Sequence, residues 1–352
     1  MASMSTLSPG GRCFAVAHRA SVWLSGQRPA APPTNVLELP DPAVEVALGH
    51  ARVFAITEAG VLVMGDRSGQ IEIRRRIGAR GVGVGCYGDH VVAFSDHGWL
   101  RWRIDDGPGG HWGRERFVEV DGVVAGACMG DGRVAVLTDG GELRVHDAED
   151  RRCATIDVGE ATAVAPGGPA GWFVARGEEV VQVLPSGRVR PIVVGNTPVG
   201  QLAASANGQT LAIALGDELV GFWSVLEREL RARVQVFDRQ VTGLSFGPGD
   251  VVGIGLDLGD GNLIDLATQR ITRNQPPIGL VRRTWGVAMT VEEAWTAAPA
   301  IGPDDRTVGA SQSLLRRPEP RWRWAPAKVI GVTALWIGGL LTGWMFGQVV
   351  TP

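Results

Sequence analysis

Short apolar runs recur seven times along the chain, and their spacing constrains the fold more than any other feature. The runs are CFAVAH at 13, VFAITE at 53, VVAFSD at 91, VAVLTD at 134, GWFVAR at 171, LAIALG at 211 and VGIGLD at 252. Successive runs begin 37 to 43 residues apart. A near-constant period of this length indicates a repeat architecture in which each repeat is one supersecondary unit.

Each run lies within a similar local pattern. A glycine-rich turn such as MGDGR precedes it, and a polar turn such as TDGG follows it. A second apolar strand comes next, an arginine-rich strand such as IEIRRRI or LRARVQV closes the unit, and a fourth strand such as GVVAGAC precedes the run. Short strands separated by glycine turns predict antiparallel pairing. Four strands in each unit predict the blades of a β-propeller.

Two segments resemble the end of a WD40 repeat. The segment GELRVHDAEDRR at 141–152 has His146 where that family usually has Trp, and Asp147 at the position of the family's Asp. The segment NLIDLATQR at 262–270 is similar, with Asp265 at the matching position. The resemblance implies a propeller of WD40-like repeats that serves mainly as a platform for binding other proteins.

The repeats also depart from the WD40 pattern. The segment LVGFWSVLER at 219–228 keeps Trp223 but has Ser224 in place of Asp, and no unit contains the full Gly-His and Trp-Asp set. A YVTN-like or quinoprotein-like propeller is nearly as close. The resemblance therefore supports the architecture and leaves the subfamily open.

The repeats predict an all-β domain at residues 1–274. We expect a seven-bladed β-propeller, with six or eight blades as alternatives. The first unit has its own innermost strand, STLS, so closure of the ring by a C-terminal strand is not required. The segment GVAMTVEE at 286–293 is either an extra closing strand or the start of a short helix, because Thr290 and Glu293 form a capping box.

An uncharged segment at 329–350 predicts one transmembrane helix, a C-terminal tail anchor. Its 22 residues span roughly 33 Å as a helix, enough for a hydrocarbon core of ~30 Å. Positive charges and interfacial tryptophans precede it: Arg316, Arg317, Arg321, Trp322, Arg323, Trp324 and Lys328. The positive-inside rule places this flank in the cytoplasm and the C-terminus outside. The N-terminus resembles no secretory signal, so we expect the propeller in the cytoplasm.

Two further features concern the anchor. Gly339, Gly343 and Gly347 share one helix face and predict a packing seam for a homodimer or for another membrane protein, although glycine is also common in membrane helices. The region 275–328 is a linker that contains proline and arginine, and its arginines could lie on anionic head groups. Lys328 is the only lysine, an arginine bias that favours a GC-rich bacterial genome and the bacterial inner membrane.

The sequence contains no pattern of catalytic or metal-binding chemistry. There is no P-loop, no GxSxG and no HExxH, and the six histidines are scattered across the repeats. The four cysteines form no CxxC pair and are predicted to be small buried residues in a reducing compartment. The net charge of −3 argues against a nucleic-acid partner. We therefore expect no enzyme activity, no cofactor and no metal.

Two surface features are candidate partner contacts. Arg74, Arg75 and Arg76 could bind an acidic partner or lipid, or be solvated arginines of an outer strand. Trp112 lies in a predicted long loop at 104–113, and loops on a rigid scaffold often carry binding residues.

The sequence favours a membrane-tethered, cytosolic scaffold for unidentified protein partners. One alternative is a structural subunit of a membrane complex assembled through the glycine face of the anchor. Another is a ligand-sensing or enzymatic propeller that uses its central channel. The small apolar residues of innermost strands such as GVGVGC and GQLAAS argue against a charged catalytic channel.

Overall fold

A computed structural model describes residues 4–7, 14–25, 34–49, 52–66, 68–104, 112–216, 219–236, 240–247, 250–256, 261–267 and 270–274. These residues form 28 strands in seven four-stranded antiparallel sheets. Each sheet contains four strands that are consecutive in the chain. The predicted seven-bladed propeller is therefore confirmed, with one repeat in each blade.

The strands of the first four blades are numbered from the innermost to the outermost strand. Blade 1 contains β1 Met4–Leu7, β2 Phe14–His18, β3 Ser21–Ser25 and β4 Thr34–Glu38. Blade 2 contains β5 Ala43–Leu48, β6 Arg52–Thr57, β7 Val61–Asp66 and β8 Ile71–Arg76. Blade 3 contains β9 Gly81–Tyr87, β10 His90–Ser95, β11 Gly98–Ile104 and β12 Trp112–Glu119. Blade 4 contains β13 Val123–Cys128, β14 Val134–Thr138, β15 Glu142–His146 and β16 Arg152–Asp157.

The last three blades follow the same order. Blade 5 contains β17 Ala163–Pro166, β18 Trp172–Arg176, β19 Glu179–Val183 and β20 Val189–Val194. Blade 6 contains β21 Val199–Ala204, β22 Thr210–Leu215, β23 Leu219–Ser224 and β24 Glu229–Gln235. Blade 7 contains β25 Val241–Phe246, β26 Val251–Leu256, β27 Gly261–Asp265 and β28 Arg270–Asn274.

The innermost strands close a ring around a central channel. Each innermost strand packs against that of the next blade, and β25 of blade 7 packs against β1 of blade 1. The ring therefore closes by packing, and blades 1 and 7 share no strand. The predicted innermost strand of the first unit is confirmed as β1, while residues 286–293, the alternative closing strand, lie outside the described residues.

The hydrophobic core lies between neighbouring blades. The apolar runs of the sequence are the second strands, and β10, β14 and β22 are buried along almost their whole length. They need no polar face because each sheet is covered on both sides by its neighbours. Separate clusters fill the spaces between blades, and one of them joins Phe54 of blade 2 to Trp102 of blade 3.

The up-and-down path gives the ring two faces. The first face carries the turns between strands one and two and between strands three and four of each blade. The second face carries the turns between strands two and three and the connections from each blade to the next. Because every outermost strand runs toward the second face, β28 ends there at Asn274.

Candidate interaction surfaces

The acidic position of the WD40-like segments stabilises turns on the first face. The Oδ1 atoms of Asp66 and Asp147 each accept hydrogen bonds from the backbone N–H groups two and four residues further on, at 2.9–3.0 Å. The Ser68 hydroxyl, which also donates to Asp66, and these backbone bonds hold the pKa of the Asp66 carboxyl below its usual value, and the backbone and side-chain bonds from Arg151 lower the pKa of Asp147. Asp265 Oδ1 accepts a bond from the Ala267 N–H, and the Ser224 hydroxyl oxygen accepts a bond from the Glu227 N–H three residues further on. This position therefore shapes the turn after the third strand and carries no chemistry.

A buried arginine links blade 3 to blade 4 by hydrogen bonds and an ion pair. Arg101 on β11 is 6% exposed and donates to the backbone carbonyls of Gly132 and Ala148 in blade 4. Its guanidinium lies 3.0 Å from the carboxylate of Asp150, which also pairs with Arg116 at 3.1 Å. All these groups belong to the protein itself, so the cluster joins two blades and offers no free catalytic group.

Aromatic rings surround the same arginine. The guanidinium carbon of Arg101 lies 5.4 Å from the ring centre of Trp99 and 5.7 Å from that of Tyr87, within the range of cation–π attraction. His146 packs edge-on against Trp99, with ring centres 5.3 Å apart. Burial lowers the pKa of His146, which favours its neutral form. His146 thus occupies the usual tryptophan position as a packing residue.

One carboxylate lies in the channel wall near the second face. Glu45 is the third residue of β5, and its Oε2 accepts a hydrogen bond from the Val84 N–H of blade 3 at 2.8 Å. Burial raises the pKa of Glu45 to about 7. Gly83 leaves the space for it, since a Cβ at Gly83 would lie 2.6 Å from Oε2. The prediction of small apolar innermost strands overlooked Glu45, because the alternation of apolar and polar residues in VEVAL is that of any strand with one exposed face.

Glu45 has no acid–base partner at its own level of the channel. The register of the innermost strands places Gly83 and Ala125 at the matching positions of blades 3 and 4. Among the described residues, no cation pairs with its carboxylate, and no three metal-ligating side chains come together. Among the described residues of the innermost strands, Glu45 is therefore the one carboxylate.

The cysteines are unreactive or isolated. Cys86 and Cys128 occupy equivalent positions on β9 and β13, and burial raises the pKa of both thiols, that of Cys86 to about 11. They are free thiols that are poor nucleophiles at neutral pH. Cys153 on β16 is exposed, which corrects the prediction that all four cysteines are buried, because its side chain points outward from an outermost strand. Cys13 lies outside the described residues.

Charges are distributed differently on the two faces. On the first face of blades 3 and 4, carboxylates pair with arginines of the same or a neighbouring turn, as in Asp89 with Arg103 at 2.9 Å and Asp131 with Arg133 at 2.8 Å. The second face carries exposed carboxylates in blades 3 to 5, which we name the acidic sector: Asp121, Asp139, Asp157, Glu160 and Glu178. Within the described residues, no arginine forms a salt bridge with any of the five.

The acidic sector was not anticipated from the sequence. Successive members are 18 residues apart, except that Asp157 and Glu160 are three residues apart, and no member stands out within its own repeat. Asp121 has a side chain 92% exposed, and its one basic neighbour among the described residues is His97, at 3.9 Å. Closing the ring brings these carboxylates together on the second face of blades 3 to 5.

The structure separates the predicted contact residues. Arg75 pairs with Glu115 on β12 of the next blade, whereas Arg74 and Arg76 are exposed and have no bonded partner among the described residues. Trp112 is the first residue of β12 and pairs with Ile104. This corrects the predicted loop at 104–113, because the outermost strand begins before the loop was expected to end.

The residues predicted to act at the membrane lie outside the described residues. They are Gly339, Gly343, Gly347, Arg316, Arg317, Arg321, Trp322, Arg323, Trp324 and Lys328. In the part of the chain that the structure describes, Gly168–Ala170 is a three-residue 3-10 turn, and no helix there is long and apolar enough to span a bilayer.

Comparison with solved structures shows the same fold. The chain is similar to the β-propeller domain of Cps50 (Swd1) from Myceliophteria thermophila, with a TM-score of 0.62, 11% identity, and coverage of 75% of this chain and 97% of that one. It is also similar to Sqt1 from Saccharomyces cerevisiae, with a TM-score of 0.56, 10% identity, and coverage of 77% and 84%. It is similar, too, to a chain in the structure of the Mitotic Checkpoint Complex, with a TM-score of 0.60, 14% identity, and coverage of 74% of this chain and 88% of that one.

These likenesses establish a WD40-type seven-bladed β-propeller and no more than the fold. No protein-family model matches the chain, and no curated protein matches it.

Proposed function

We propose that this protein is a non-enzymatic interaction scaffold, tethered to the bacterial inner membrane by residues 329–350, whose acidic sector docks a basic protein partner. The observation that carries the docking proposal is the set of five exposed carboxylates in blades 3 to 5 that no arginine of the described residues neutralises. On the first face of blades 3 and 4, Asp89 and Asp131 are paired with arginines. Within these blades, the group of carboxylates without an arginine partner therefore lies on the second face.

Unpaired carboxylates on a rigid ring favour a basic partner for two reasons. Carboxylates of like charge on one surface create a negative potential, which attracts an arginine-rich or lysine-rich segment. The field also steers such a segment toward the sector and raises its association rate, with a steep dependence on salt. The turns that carry the sector are hydrogen-bonded to their neighbours, as between the Asp139 N–H and the Gly122 carbonyl at 2.8 Å. The partner therefore meets a preformed surface.

Membrane tethering rests on the sequence of the tail. An uncharged stretch of 22 residues with a basic flank has the length and the asymmetry of a single-span anchor with the propeller in the cytoplasm. Tethering raises the effective concentration of a docked partner at the membrane. A chain of the Mitotic Checkpoint Complex shares the fold and belongs to a protein assembly.

The test compares two variants of the full chain that lose the same number of negative charges. The sector variant carries Asp121→Asn, Asp139→Asn, Glu160→Gln and Glu178→Gln. The control variant carries Asp41→Asn, Glu58→Gln, Glu229→Gln and Asp250→Asn, which are carboxylates outside the sector without a salt bridge among the described residues. Both are used for affinity capture from native membranes and for titration with a synthetic arginine-rich peptide.

The proposal expects the sector variant to lose both the captured partners and the salt-dependent binding of the peptide, while the control variant keeps them. Equal losses of binding in both variants would show that binding depends on the total charge of the protein and not on the acidic sector. Retention of partners by the sector variant would exclude the sector as the docking surface.

A further inference from the structure

The carboxylate of Glu45 lies at the channel edge of blade 3. The strand β9 is the innermost of its sheet and pairs with β10 on one side only. Alternate residues of an antiparallel ladder point their N–H and C=O groups away from the partner strand. Val84 is one of these residues, because its N–H donates to Glu45 Oε2 at 2.8 Å. The side chain of Glu45 therefore reaches from blade 2 across the free edge of β9, which faces the channel.

One oxygen of this carboxylate is available to a ligand. Glu45 is partly exposed, and its second oxygen, Oε1, forms no hydrogen bond with the described residues. A Cβ at Gly83 would lie 2.6 Å from Oε2, so the glycine leaves the space that the carboxylate occupies. The structure therefore holds Glu45 by one oxygen and leaves the other toward the channel.

The channel wall carries a single charge. Among the described residues of the seven innermost strands, Glu45 is the one acidic side chain, and these strands contain no lysine, arginine or histidine. None of the other titratable side chains on the strands that pack against β5 or β9 forms an ion pair with Glu45: His18, Arg52, Cys86, Tyr87, His90 and Cys128. The described wall therefore has a net charge of −1 when Glu45 is ionised.

A purely structural role does not require a carboxylate at this position. The amide oxygen of a glutamine would accept the Val84 N–H equally well, and it would bring no charge into the channel wall. Burial raises the pKa of Glu45 to about 7, and a cation beside the carboxylate would offset that cost of ionisation. The free oxygen and the uncompensated charge together favour a cationic ligand.

A primary ammonium group fits one free oxygen better than other cations do. Guanidinium groups typically bond to both oxygens of a carboxylate, whereas Oε2 of Glu45 already accepts the Val84 N–H. Calcium takes six to eight oxygen ligands, and no three metal-ligating side chains come together in the described part of the chain. An ammonium group is a compact charge with three donors. The C=O groups on the free edge of β9 can accept the donors that Glu45 does not.

We propose that Glu45 binds one primary ammonium group inside the central channel, carried either by a small free amine or by a lysine side chain of another protein. This site is separate from the acidic sector and from the tail anchor, and it depends on neither. The ammonium group binds the ionised carboxylate, so binding below pH 7 displaces a proton from Glu45 into solvent. The site therefore couples ligand binding to proton release.

The test is isothermal titration of the full chain, in micelles of an uncharged detergent, with n-butylammonium chloride at constant ionic strength. With a pKa of about 7, the ionised fraction of Glu45 is about 0.9 at pH 8 and about 0.1 at pH 6. The affinity should therefore fall about tenfold between pH 8 and pH 6. Repeating the titration in buffers of different ionisation enthalpy should show about 0.9 proton released at pH 6 and about 0.1 at pH 8.

Four variants locate the site. Glu45→Gln keeps an acceptor for the Val84 N–H and should abolish binding, and Gly83→Ala should weaken binding because its Cβ displaces the carboxylate. Glu58→Gln removes an exposed carboxylate from the same blade and should bind as the unchanged chain does. The sector variant of the proposed function should also bind normally, which separates a failure of that proposal from a failure of this one.

Two peptides with blocked termini, Gly-Gly-Lys-Gly-Gly and its Nε-acetyl-lysine counterpart, distinguish the sources of the ammonium group. Tighter binding of the lysine peptide than of butylammonium would assign the ligand to a protein, and the reverse would assign it to a small amine. The acetylated peptide should not bind. The proposal would be overturned by unchanged binding to Glu45→Gln, by equal affinity at pH 6 and pH 8, or by no binding of either amine. Equal or tighter binding of sodium, tetramethylammonium or methylguanidinium would also overturn it.

Discussion

The substitution Glu45→Gln should stabilise the propeller, and more at alkaline than at acidic pH. Burial raises the pKa of Glu45 from 4.5 to about 7, so the folded protein disfavours the ionised carboxylate that the unfolded chain accepts. The contribution of Glu45 to stability is therefore highest below pH 4.5 and falls as the pH rises through 7. The glutamine side chain of the variant carries no charge, and its amide oxygen can still accept the Val84 N–H.

The size of the effect follows from the shift. A difference of about 2.5 pH units at ~1.4 kcal/mol per unit gives at most about 3 kcal/mol above pH 7. At pH 5 the folded state binds the proton while much of the unfolded chain has released it, and the same relation leaves about 1 kcal/mol. The gain from Glu45→Gln should therefore grow by about 2 kcal/mol between pH 5 and pH 8.

Urea unfolding of the full chain, followed by tryptophan fluorescence at pH 5 and pH 8, measures this difference. Glu58→Gln removes an exposed carboxylate from the same blade and should change the stability by less than about 0.5 kcal/mol at both pH values. A gain from Glu45→Gln that does not increase between pH 5 and pH 8 would refute the reasoning. It would mean that channel water solvates the carboxylate in the folded protein.

Three other substitutions test the packing of blades 3 and 4. Arg101→Met should lower the free energy of unfolding by about 2–4 kcal/mol, because it leaves the carboxylate of Asp150 buried with one partner fewer. Urea unfolding measures this loss, and Asp150→Asn in the same chain should restore part of it. Gly126→Ala would place a Cβ 2.2 Å from the ring of Phe94 and should cost about 1–3 kcal/mol; an unchanged Tm would show that the ring can move. Burial lowers the pKa of His146 below 6.5, so the stability of the protein should fall as the pH drops through that value. His146→Phe should therefore reduce the fall in Tm between pH 7 and pH 5. An identical fall in the variant would argue against His146 as its source.

Local sequence patterns are enough to predict most of the propeller architecture. Strands of period two, glycine turns and a repeat of about 40 residues specify four-stranded antiparallel units, because hairpins pair strands that are adjacent in the chain. The turn caps at Asp66 and Asp147 are equally local, since each bonds to amides two and four residues further on. The prediction failed where a local signal was weak, as at Trp112, which begins β12 although a glycine-rich sequence precedes it.

The surfaces depend on contacts between blades. Glu45 meets the Val84 N–H, and Arg101 meets Asp150, pairs that lie about 40 to 50 residues apart. The carboxylates of the acidic sector likewise come from three repeats in which each is an ordinary turn residue. Period and turn chemistry determined the blades from the sequence alone. Only the closed ring decided which charges are paired, buried or left exposed. The strength of a charge interaction depends on distance and burial in space, and not on separation along the chain.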